Sequence, residues 1–143
     1  MTVEAESPTI DYAGAELLDR PTILFVDDDP SMVSSIERSF RPWDVELEVA
    51  LHGMQGIMQA IKIRPDVIIT DLQMPFASGE ELIDCLSKNE FTHGVPLIVV
   101  TGRCGVKLTA RLESQGVVAV FQKPFDFTDL IDTLSNIIPI RAS

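Results

Sequence analysis

The chain has 143 residues, 45% of them hydrophobic, which suffices for one domain with a sizeable core. Its 22 acidic against 11 basic residues give a formal net charge of −11, arguing against a nucleic-acid surface, which needs clustered Lys and Arg. No apolar run approaches the roughly 20 residues of a membrane span, and Met1-Thr2-Val3-Glu4 opens no secretory leader. The expectation is a soluble, cytoplasmic chain without membrane contact.

Residues 1–20 carry five acidic groups against Arg20 and no sustained apolar period, so they are expected to form a mobile acidic tail, with Ala13 to Leu18 as a short helical turn. From Pro21 onward, short apolar runs alternate with helical patterns. Thr22 to Val26 is a strand that runs into Asp27-Asp28-Asp29. Pro30 suits a first helical turn with Asp29 as N-cap, and Val33, Ile36 and Phe40 form an apolar stripe. Val45 to Ala50 alternates apolar and acidic residues as an edge strand does. Met54, Ile57, Met58 and Ile61 mark a second helix closed at Arg64-Pro65, with the two methionines read as core filler. His52 reads as a structural turn residue.

Val67 to Thr70 is a third strand ending at Asp71, and Glu80 to Lys88 a helix with two acids in its first turn. His93 falls in a loop, where it is expected to be exposed. Leu97 to Thr101 is the fourth strand, Val106 to Gln115 the fourth helix stopped by Gly116, and Val117 to Phe121 the fifth strand. Phe127, Leu130, Ile131, Leu134 and Ile138 line a last helix that Pro139 ends. Cys85 and Cys104 have neither CxxC nor metal spacing and read as buried or half-buried free thiols. Five βα units imply an α/β fold, a doubly wound five-stranded parallel sheet covered on both faces. Ligands of such sheets sit beyond the carboxyl ends of the strands, at the topological switch point.

Those ends hold Asp27, Asp28 and Asp29, then Asp71, then Thr101, then Lys123. Carboxylates drawn together from two strands repel, and Mg²⁺ prefers oxygen ligands of this kind. Asp71 suits an attacking carboxylate, Thr101 a hydroxyl donor to a phosphoryl oxygen, and Lys123 a cation opposite it.

Asp71-Leu72-Gln73-Met74-Pro75-Phe76-Ala77-Ser78-Gly79 resembles the D-x-x-M-P-x-x-x-G signature of response regulator receiver domains, the phosphoacceptor modules of two-component signalling. The Asp27-Asp28 pair, Thr101 and Lys123-Pro124-Phe125 stand in family order. The spacings are similar too: 43 residues from Asp28 to Asp71, 30 to Thr101 and 22 to Lys123. The resemblance spans about residues 21–138 and implies the flavodoxin-like strand order 2-1-3-4-5, with the receiver domain placed at 21–140 after the tail. It further implies Asp71 as phosphoacceptor, with Mg²⁺ (or Mn²⁺) on Asp28, Asp71, the backbone carbonyl of Gln73 and, through water, Asp27. Thr101 and Lys123 would contact the phosphoryl group, and the peptide before Pro124 is often cis in the family. The implied phosphodonor partner is a histidine kinase or histidine phosphotransfer protein. The implied dimerisation surface is the fourth helix, fifth strand and fifth helix. Gln73 and Arg103 stand where family members control water access to the acyl phosphate.

One position departs from the pattern. The family often has Tyr or Phe three residues before the lysine, where this chain has Val120. Phe121 points to the opposite face of the strand and is no substitute. Signalling is then expected to rest on the loop after Thr101 and the start of the fourth helix. Two other readings compete. A haloacid-dehalogenase-like phosphatase would use Asp27-Asp28-Asp29 as a D-x-D motif but leaves the Asp71 motif unexplained. A phosphorylation-independent interaction domain would not need the complete site.

Overall fold

The computed structural model describes residues 20–74 and 79–143. The elements follow in strict alternation: β1 (Thr22–Val26), α1 (Pro30–Phe40), β2 (Glu46–Ala50), α2 (Gly53–Ile63), β3 (Val67–Thr70), α3 (Gly79–Lys88), β4 (Leu97–Thr101), α4 (Val106–Ser114), β5 (Val117–Gln122) and α5 (Phe127–Ser135). The strands form one parallel sheet, as the βα alternation implied, in the order β2-β1-β3-β4-β5, as the resemblance implied. The expected tail and its Ala13–Leu18 turn lie outside the described residues, apart from Arg20.

The burial pattern follows from strand geometry. Successive side chains of a strand point to opposite faces, so β1 sends Ile23 and Phe25 into one core and Leu24 and Val26 into the other. The first core joins them to Ile36 and Phe40 of α1 and to Leu130, Ile131 and Leu134 of α5. The second joins them to Ala60 of α2, Leu82, Ile83 and Leu86 of α3, and Leu112 of α4. With both faces covered, β3 and β4 are buried throughout and read as unbroken apolar runs. Edge strand β2 keeps the alternation Glu46-Leu47-Glu48-Val49 because its outer flank reaches water.

The helix ends are chemically specified. Asp29 caps α1 by accepting the Ser31 amide at 3.0 Å, the role expected for it. Ser31 also lowers the pKa of the Asp29 carboxyl, through its hydroxyl first and its amide second. His52 Nδ1 accepts the Gln55 amide and caps α2, and Asp126 caps α5 through the Thr128 amide. Gly116 takes a positive φ of 94° just after α4, a conformation open to glycine at little steric cost.

Four expectations are corrected. Met54 and Met58 are not core filler: they lie on the outer face of α2, 51% and 64% exposed, while Ala60 and Gly56 face the sheet. The helical period was right, but these two side chains sit on its wet side, while Ile57 and Ile63 pack against the core. Cys85 and Cys104 are both exposed rather than buried. The last helix ends at Ser135, ahead of Pro139, and Ile138 reaches the core from the turn that follows. The fourth helix ends at Ser114, with Gln115 as its cap.

Beyond α5 the chain folds back on the α1–β2 loop, where Ala142 bridges Trp43 and the Asp44 amide donates to Arg141 O. No helix among the described residues is long and apolar enough to cross a membrane.

Removing a fully enclosed side chain leaves a cavity as well as losing transfer energy. Leu134→Ala is expected to cost about 2–5 kcal/mol, whereas Val118→Ala, half exposed on β5, should cost no more than about 0.5 kcal/mol. Urea midpoints of the two variants check this.

Candidate functional site

Register brings the strand ends together. Val26 stands level with Ala50 on one side and Thr70 on the other. The chain continues this alignment past the strands, with the Asp27 amide donating to Ala50 O and the Asp71 amide to Val26 O, each at 3.0 Å. Two residues that are 44 positions apart in sequence thus leave the sheet side by side. On the other flank Thr101 pairs with Gln122, and the Lys123 amide donates to Thr101 O at 2.8 Å.

The cleft so formed holds Asp27, Asp28, Asp71 and Lys123. One carboxylate oxygen from each aspartate lies within 4.8 Å of the others. Asp27 is fully buried and Asp71 nearly so, while Asp28 is exposed. Lys123 Nζ lies 2.7 Å from Asp27 Oδ2 and 3.6 Å from Asp71 Oδ2. Asp27 Oδ1 accepts the Asp29 amide at 2.9 Å, so Asp27 is engaged at both oxygens. Asp71 Oδ1 accepts the Leu72 amide at 2.8 Å. Thr101 is buried, and its Oγ accepts the Arg103 amide at 3.2 Å. Gln73 is exposed on the segment leaving Asp71. The Lys123–Pro124 peptide is cis.

The electrostatics follow from burial and crowding. Burial raises the pKa of the Asp71 carboxyl above its ordinary value; Lys123 opposes the rise, Asp27 adds to it, and the Gln73 and Leu72 amides oppose it. Lys123 is subject to the opposite balance. Burial disfavours its charge, but the hydrogen bond to Asp27 and the charges of Asp27 and Asp71 outweigh that and hold the ammonium above its usual range.

Two features of the site were not assigned from sequence. The first is the close pairing of Lys123 with Asp27, which no local motif announces. The second is the role of Gly79, quoted as part of the motif without a reason. Its amide donates to Leu72 O at 3.0 Å, and a Cβ there would stand 2.2 Å from Asp71 O and 2.6 Å from Leu72 Cα. Helix α3 starts in contact with the backbone of Asp71, an approach that only glycine permits. Pro75, Phe76, Ala77 and Ser78 of the same motif lie outside the described residues. At the atypical position, Val120 packs in the α2–α3–α4 core, while Phe121 packs in the α1–α5 core beside Phe125, their ring centroids 6.0 Å apart. The two side chains do point to opposite faces.

The family model for the response regulator receiver domain matches residues 23–135. The chain belongs to this family. It is 35% identical over 134 residues to the sensor histidine kinase TmoS of Ectopseudomonas mendocina, covering 90% of this chain and 14% of the kinase. It is 31% identical over 124 residues to the transcriptional regulatory protein PrrA of Mycobacterium tuberculosis, covering 86% of this chain and 52% of the regulator. The receiver thus spans about half or less of these relatives. Among solved structures, chemotaxis protein CheY4 of Vibrio cholerae superposes with a TM-score of 0.75 at 26% identity, over 83% of this chain and 99% of that one. The receiver domain of sensor histidine kinase PA1611 from Pseudomonas aeruginosa, solved with a magnesium ion coordinated in its active-site cleft, gives a TM-score of 0.76 at 24% identity, over 84% and 98%.

Two outcomes are expected of this receiver's site. Gly79→Ala should lose about 2 kcal/mol or more despite alanine's better helix propensity, because the new methyl meets backbone that cannot swing aside; urea unfolding measures it. Asp71→Asn should raise the melting temperature in EDTA, since Lys123 keeps its 2.7 Å partner while a buried, crowded charge is removed. A carboxyl whose folded pKa is raised penalises the fold once ionised and not when protonated. The gain should therefore appear as pH rises through and above the ordinary value of 3.8 and vanish below it, which melts from pH 3 to 7 would show.

Proposed function

We propose that this receiver accepts a phosphoryl group on Asp71 in a Mg²⁺-dependent transfer from a phosphohistidine on a histidine kinase or histidine phosphotransfer protein, and that the product alters its partner-binding surface. The observation that carries this reading is the cleft itself, with three carboxylates within 4.8 Å of one another and an ammonium 3.6 Å from Asp71. Asp71 is the better nucleophile of the two buried aspartates. Asp27 already accepts hydrogen bonds at both oxygens, from Lys123 and from the Asp29 amide, which also weighs against the phosphatase reading based on Asp27-Asp28-Asp29.

The donor set fits a hard divalent cation. Oxygen ligands from Asp28 and Asp71, the Gln73 carbonyl and a water held by Asp27 would bind Mg²⁺, or Mn²⁺ in its place. The bound ion would neutralise carboxylate charge and the charge developing on the phosphoryl oxygens. The protein supplies the rest. The Leu72 amide holds one oxygen of Asp71 and orients the other toward the donor. That oxygen attacks phosphorus; the P–N bond to imidazole breaks, and the electron pair leaves with the ring nitrogen. The new aspartyl phosphate gains Lys123 as counter-ion, and Thr101 can donate its hydroxyl to a phosphoryl oxygen. Water attack on phosphorus later returns the carboxylate and inorganic phosphate. The module therefore acts as a signalling phosphoacceptor that assists its own phosphorylation and dephosphorylation.

The receiver unit is assigned to residues 21–140, with 1–20 as an acidic extension and a cytoplasmic location. Val106 and Val118, both exposed on α4 and β5, support self-association through the α4–β5–α5 face. The net charge of −11 supports the absence of direct nucleic-acid binding by this unit.

Incubation with acetyl phosphate and Mg²⁺ should add the mass of one phosphate, labile in both acid and alkali as an acyl phosphate is. Asp71→Asn or EDTA should abolish the addition. Phosphate retained in Asp71→Asn but lost in Asp27→Asn would instead favour the phosphatase reading.

A further inference from the structure

Two arginines compete for one carboxylate at the rim of the cleft. Glu80 follows Gly79, so its position is tied to the Asp71 backbone that Gly79 abuts. Arg111 of α4 meets Glu80 side-on, with Nε 3.2 Å from Oε1 and Nη2 3.1 Å from Oε2. Arg103 of the β4–α4 loop reaches Glu80 Oε2 with Nη2 at a looser 3.9 Å. The Arg103 amide is itself bonded to Thr101 Oγ, which places the root of this side chain at the fourth strand end of the cleft. Glycines flank the loop at 102 and 105, and both face open space.

An exposed ion pair is weak, and a stronger anion can displace it. A phosphoryl group on Asp71 would be such an anion, with nearly two negative charges and three acceptor oxygens that suit a guanidinium as well as a carboxylate does. We propose that Glu80 is a positioning residue that holds Arg103 at the rim, away from Asp71, until a phosphoryl group competes for it. Arg111 sets the strength of that hold by occupying the same carboxylate. The inference rests on Asp71 as phosphoacceptor.

Competition for a shared counter-ion has a signature that simple structural support lacks, because the two partners should act with opposite sign. Glu80→Gln frees Arg103 for the phosphoryl site. Arg111→Gln leaves all the charge of Glu80 to Arg103 and tightens the hold. The test uses the full chain with saturating Mg²⁺. Beryllofluoride affinity is read from the amide resonances of residues 101–105, and acyl-phosphate decay is followed by mass. Glu80→Gln should bind beryllofluoride about two- to five-fold more tightly and lose phosphate more slowly, and Arg111→Gln should shift both by similar factors in the other direction, the range available to an exposed ion pair. Both effects should disappear in an Arg103→Gln background. Shifts of the same sign, or shifts that persist without Arg103, would overturn the proposal while leaving the phosphoacceptor reading intact. A wild-type chain that takes no phosphate at Asp71 would overturn both.

Discussion

The ammonium of Lys123, held between two buried carboxylates, is the interaction on which the functional end of this receiver depends. Asp27 and Asp71 leave neighbouring central strands at the same height, and parallel register gives them no freedom to move apart. Burial in this partly dry cleft raises the pKa of the Asp71 carboxyl, and the neighbouring charge of Asp27 adds to the rise. Lys123 offsets this unequally. It sits on Asp27 at 2.7 Å and only approaches Asp71 at 3.6 Å, so Asp27 is neutralised and Asp71 keeps unmet charge. The asymmetry gives two chemically identical side chains different characters.

The rest of the molecule maintains that arrangement. Buried β3 and β4, with β1 buried from Ile23 onward, keep the strand ends in a fixed plane, and the two cores on either face hold them there. Gly79 extends the constraint to α3, since its contact with the Asp71 backbone makes the helix start part of the cleft wall. The site is thus built on strand ends and one helix terminus, with loops left to respond.

That division bears on how a change at Asp71 would reach the surface. Val120 is packed in the core beneath α4 and lacks an aromatic ring to swing, and Phe121 is committed to the opposite face. The connections that remain between the cleft and α4 run through Thr101, the Arg103 amide and the shared carboxylate of Glu80. Ion pairs at the rim are individually weak, which suits a connection that must change partners rather than lock.

Much of this was legible in the sequence, for a physical reason. Strand and helix periods, the Asp29 cap, the Gly116 stop and the placing of Asp27, Asp28, Asp71, Thr101 and Lys123 at strand ends follow from local rules, because parallel βα units leave few topologies open. Helical periodicity located α2 but not which residues of that helix face the sheet, so Met54 and Met58 were misassigned while Gly56 and Ala60 hold the contact. The exposure of Cys85 on α3 escaped for the same reason, and that of Cys104 because it stands in the β4–α4 loop, where no periodicity applies. Only tertiary structure could pair Lys123 with Asp27 across 96 positions, bring Gly79 onto Asp71, or set Arg103 and Arg111 against one carboxylate. Residue order determined which groups arrive at the carboxyl edge of the sheet. Packing and register decided which of them touch, since contact distances between separate strands and helices are a property of the assembled layers.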